Sequence, residues 1–79
     1  SKAAIKKAAL QYGDIAADNI IEKTAALESD DRRDFVKNHI LFLALKNELK
    51  AGAALIQTAL DAKILNEKAA ANMREFLAR

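Results

Sequence analysis

The chain has 79 residues with no cysteine and no proline, and 13 basic and 11 acidic side chains give it a formal net charge of +2. This length corresponds to a single domain, residues 1–79. Without cysteine the chain forms neither disulfides nor thiolate metal sites, and its single histidine excludes zinc sites built on several imidazoles. The charge is well below that of strongly basic nucleic-acid-binding proteins, and the longest apolar run is far shorter than the ~20 residues of a membrane span.

The composition strongly favours helix. Alanine, the best helix former, is very common, and glycine occurs only twice. Among the residues that favour strands, valine occurs once and threonine twice. We therefore expect an all-α fold: a helical bundle of two long antiparallel helices and a short C-terminal helix.

The first long helix is expected over about residues 3–28. Its apolar side chains recur at helical spacing along one side, with a second, smaller strip beside them. The main strip contains Ile5, Ala9, Tyr12, Ala16, Ile20 and Leu27, and the smaller one Leu10, Ala17 and Ile21. Two strips on one helix predict two neighbouring helices. Asp14, Asp18 and Glu22 form an acidic stripe on another side, which is typical of a solvated face.

The segment Glu28–Asp31 is the clearest break, and Ser29 or Asp30 is suited to cap the next helix. So short a link makes the flanking helices antiparallel neighbours. The second helix is expected over about 31–62, because its apolar side chains stay on one stripe when the helix is continued: Leu41, Leu45, Leu49, Gly52, Ile56 and Leu60. A break at Gly52, which Lys50 precedes, is the alternative.

A final helix is expected over about 67–78. Asn66 is a good N-cap, and the apolar side chains that follow are Ala70, Met73, Phe76 and Leu77. The segment 62–69 resembles the first part of a DNA-binding helix-turn-helix, although no recognition helix follows it before Arg79. About the last 25 residues also resemble the short C-terminal helical hairpins of many bacterial proteins, with Lys63 in place of a glycine and Ala70 in place of an aromatic anchor.

The most informative segment is Ile40–Leu45, six apolar residues in a row. Successive residues of a helix step by about 100°, so this run leaves the helix no polar side. Either the other two helices enclose it, or part of it is an interface with a second copy or a partner protein. We expect the interface, formed by Leu41, Phe42, Leu45, Leu49, Gly52 and Ile56, with Gly52 allowing close backbone approach. Charges at Lys46, Glu48 and Lys50 would lie at its rim.

No residues form a recognisable catalytic set. His39 has neither a serine nor a cysteine nearby that it could activate, and it is expected to be a partly buried structural residue. The charged segment 30–34 lacks the glycine and the terminal glutamate of a calcium-binding loop, which indicates helix capping and surface ion pairs. We therefore expect no enzyme activity, no cofactor and no metal site.

The expected function is that of a small non-catalytic protein–protein interaction or assembly module that self-associates through its apolar central helix. Two alternatives are a small nucleic-acid-binding regulator and a subunit or inhibitor of a larger enzyme complex. Basic residues occur in several groups, but acids interrupt them, which disfavours nucleic acid as the partner. The lack of cysteine and of a visible secretory signal favours a cytoplasmic location.

Overall fold

The computed structural model describes residues 17–79, and in this part of the chain it contains four α-helices and no strand. The helices are α1 (Ala17–Lys23), α2 (Ser29–Leu45), α3 (Leu49–Asp61) and α4 (Glu67–Ala78). The expected all-α class is confirmed. The first part of the first expected helix, and its apolar and acidic residues before residue 17, lie outside the described residues.

Helix α1 ends at Lys23, so the expectation that the first helix continues to residue 28 is wrong. The hydroxyl of Thr24 donates to the carbonyl of Ile20 at 2.7 Å. The Nη2 of Arg32, from α2, donates to the carbonyl of Ile21 at 2.9 Å, and its Nε donates to the Thr24 hydroxyl at 3.3 Å. The Ile20 carbonyl also accepts the backbone N–H of Thr24 at 3.0 Å, whereas the N–H of Ala25 bonds to the Glu22 carbonyl. Arg32 therefore gives the Ile21 carbonyl a partner where the helical hydrogen-bond pattern ends.

Helix α2 begins at Ser29, two residues earlier than expected. The N-cap position is Glu28, which makes no capping hydrogen bond with its side chain, so neither Ser29 nor Asp30 is the cap. Instead Asp30 and Asp31 lie in the first turn, where their negative charges interact favourably with the helix dipole.

The expectation of a single long helix over 31–62 is also wrong. The chain leaves the helix after Leu45 and not at Gly52. The backbone of Asn47 is left-handed, with φ 59°. The N–H of Glu48 donates to the carbonyl of Leu43 at 2.9 Å, and the N–H of Asn47 donates to the carbonyl of Ala44 at 3.0 Å. This is a Schellman motif, and asparagine tolerates its left-handed position better than other residues with a side chain.

The break also changes which side of the chain is buried. In α2 the buried stripe contains Val36, Ile40 and Leu43. Leu45 lies two residues after Leu43, about 200° further around the helix, and therefore points away from the core. The stripe that suggested a continuous helix is thus half-buried at Leu41, exposed at Leu45 and Leu49 on either side of the break, and buried at Gly52 and Ile56 within α3.

Helix α4 confirms the expectation for residues 67–78. The Oδ1 of Asn66 accepts a hydrogen bond from the backbone N–H of Ala69 at 2.8 Å, so Asn66 is the N-cap that its sequence position suggested. A second Schellman motif ends α3. Its left-handed residue is Lys63, with φ 62°, and the N–H of Ile64 donates to the carbonyl of Ala59 at 2.9 Å.

Helices α3 and α4 form a hairpin. A β-carbon placed on Gly52, near the start of α3, would lie 3.3 Å from both δ-carbons of Leu77, near the end of α4. A short turn joins the other ends of α3 and α4, so this contact makes them antiparallel neighbours. Ala70, near the start of α4, is fully buried.

Helix α3 is the central element, since it packs against α1, α2 and α4. Its side chains Leu55, Ile56 and Ala59 are fully buried. The remaining buried apolar side chains of the described residues come from the other three helices and from the turn before α4: Ile20, Phe35, Val36, Ile40, Leu43, Leu65, Ala70 and Met73. None of the described helices has the length and apolar character needed to span a membrane.

Candidate interaction surface

The six-residue apolar run lies at the C-terminal end of α2, and its side chains differ widely in burial. Ile40 and Leu43 are buried in the core, while Leu41, Phe42 and Ala44 are half-buried. Leu45 is 84% exposed. The chain therefore shelters part of this run and leaves its last leucine in solvent.

Leu45 is the centre of a small apolar surface. Leu41 and Phe42 precede it by four and three residues, a spacing that puts all three on one side of α2. After the turn, Leu49 begins α3 and is 43% exposed. We call these four residues, Leu41, Phe42, Leu45 and Leu49, the α2–α3 corner.

Charged side chains border this corner. The Nζ of Lys46 lies 5.4 Å from the centre of the Phe42 ring and 3.8 Å from Oε1 of Glu48. Lys50 is exposed on the first turn of α3. A shallow, open depression runs along the start of α3 and is lined by Asn47, Glu48, Leu49, Lys50 and Ala51. The rim residues expected from the sequence thus lie beside the corner and carry both signs of charge.

Two of the six expected interface residues lie elsewhere. Ile56 is fully buried in the core of the chain. Gly52 is buried too, and its close approach is to Leu77 of the same chain rather than to a partner. Because helix α3 turns this side inward, neither residue is accessible to a second protein in the folded chain.

His39 is fully buried, more deeply than the partial burial expected. Its ring centre lies 6.3 Å from that of Phe42. His39 therefore lies in the interior of the helical bundle, where its side chain has no access to solvent.

The remaining charged groups form ordinary surface arrangements. Arg33 forms ion pairs with Asp30 at 3.5 Å and with Asp34 at 3.6 Å, and all three are substantially exposed. Within residues 17–79, no group of three or more histidine, aspartate or glutamate side chains is arranged to hold a metal ion. Of the acidic stripe, Glu22 is exposed, while the side chains of Asp14 and Asp18 lie outside what is described.

Two further large apolar side chains are exposed at other places. Leu27, in the turn before α2, is 42% exposed, and Phe76, in the last turns of α4, is 38% exposed. Phe76 was expected on the apolar side of its helix, and it lies instead at the edge of that side. Leu27 is separated from Leu45 by the length of α2, about 25 Å for its 17 residues.

The sequence matches no family model, and no curated protein or solved structure is significantly similar to it.

Proposed function

We propose that this chain is a non-catalytic interaction module that self-associates through the α2–α3 corner. The observation that carries the proposal is the exposure of Leu45, which is 84%, whereas Leu43 in the preceding turn is buried and Leu41 and Phe42 are half-buried. Full burial of a leucine stabilises by about 1.5–3 kcal/mol, so covering this side chain supplies a driving force for association.

The backbone next to Leu45 is held by hydrogen bonds, which favours a specific contact over an irregular one. The Schellman motif immediately after it ends α2 with two backbone hydrogen bonds, and Lys46 connects Phe42 with Glu48 across the same turn. A rigid apolar surface loses little conformational entropy when it binds.

The rim charges are compatible with a second copy as the partner. In a two-fold dimer each surface meets an identical surface. A rim of one sign would repel itself, whereas Lys46 and Glu48 give this rim both signs. Residues of a second chain could cover Leu45 and Leu49 together, since these leucines flank the same short turn.

The test is sedimentation equilibrium of the purified chain from micromolar to millimolar concentration. We expect a reversible dimer. The substitution Leu45→Gln removes one apolar contact from each copy, about 3 kcal/mol per dimer, and should raise the dissociation constant about a hundredfold. Because Leu45 is exposed, this variant should keep the helical circular dichroism spectrum of the wild type and, at concentrations at which both chains are monomeric, its thermal stability.

Leu27→Gln is the matched control, since it makes the same change at an exposed leucine far from the corner. It should leave the dissociation constant unchanged. A chain that stays monomeric at millimolar concentration, or two variants that weaken association equally, would contradict the proposal.

A further inference from the structure

We draw no further inference here: the strongest candidate, the exposed apolar surface patch around Leu45 and Leu49 at the turn between α2 and α3, belongs to the site already described, and nothing in the described part of the chain shows what else covers it.

Discussion

Asn47 and Lys63 occupy the same position in two successive Schellman motifs, and their φ angles of 59° and 62° are nearly identical. Each residue ends a helix and reverses the chain. The left-handed conformation costs most residues that have a side chain roughly 1–2 kcal/mol, and it costs asparagine less. Lysine is therefore less suited to this position than asparagine. The turn between α3 and α4 is therefore the more strained of the two.

This difference predicts the effect of glycine at each position. Lys63→Gly should raise the free energy of unfolding by about 0.5–1 kcal/mol, because glycine adopts positive φ without a steric penalty. Asn47→Gly should change it by less than about 0.5 kcal/mol. Urea denaturation followed by circular dichroism measures both. A larger gain at Asn47 than at Lys63 would show that strain at the turns is not the controlling factor.

The N-cap of α4 can be tested by removing its side-chain acceptor. Asn66→Ala should lower the free energy of unfolding by about 0.5–2 kcal/mol, since the N–H of Ala69 then loses its partner. Asn72→Ala is the control, because Asn72 is exposed within the same helix. Alanine is the better helix former there, so this variant should be neutral or slightly more stable in thermal unfolding. Equal losses in both variants would argue against capping.

Ile56 and Leu45 were expected in one interface, but truncating them should change the free energy of unfolding by very different amounts. Ile56→Ala should destabilise the chain by about 2–5 kcal/mol, because Ile56 is fully buried and its truncation leaves a cavity. Leu45→Ala should change the stability of the monomer by no more than about 0.5 kcal/mol. Chemical denaturation at low micromolar concentration keeps association from adding to the result. A large loss for Leu45→Ala in the monomer would show that this side chain is covered within the chain.

Adjacent arginines offer a test of how the end of α1 is held. Arg32 is half-buried and bonds to the Ile21 carbonyl and the Thr24 hydroxyl, so Arg32→Met should cost about 1.5–3 kcal/mol of stability. Arg33→Met removes only exposed ion pairs and should cost less than about 1 kcal/mol. Thermal unfolding of both variants at the same ionic strength compares the two losses of stability. The prediction fails if Arg33→Met is the more damaging change.

The parts of the fold that depend on local signals could be predicted from the sequence. Composition predicted the all-α class, and Asn66 together with the apolar spacing after it predicted α4. The break between α2 and α3 was missed because Leu41, Leu45, Leu49 and Gly52 stay in phase along a continued helix. Of these four residues only Gly52, within α3, is buried, and Leu45 and Leu49 beside the break are exposed. Asn47 was the available signal, as asparagine is the commonest alternative to glycine at the left-handed end of a helix.

The residues expected in the interface separate at the same break. Leu45 and Leu49 are exposed beside the turn, whereas Ile56 and Gly52 are buried. Periodicity identifies an apolar side of a helix, yet it does not say whether that side meets the chain's own helices or another protein. That choice depends on how the helices are arranged in space.

The central position of α3 has a consequence for how the protein unfolds. Every other described helix packs against α3, whose side chains Leu55, Ile56 and Ala59 are fully buried. Because the helices share this core, we expect residues 17–79 to unfold in one cooperative step, without a state in which a single helix is lost and the others persist. The amide hydrogens of α3 would accordingly exchange with solvent only when the whole domain opens.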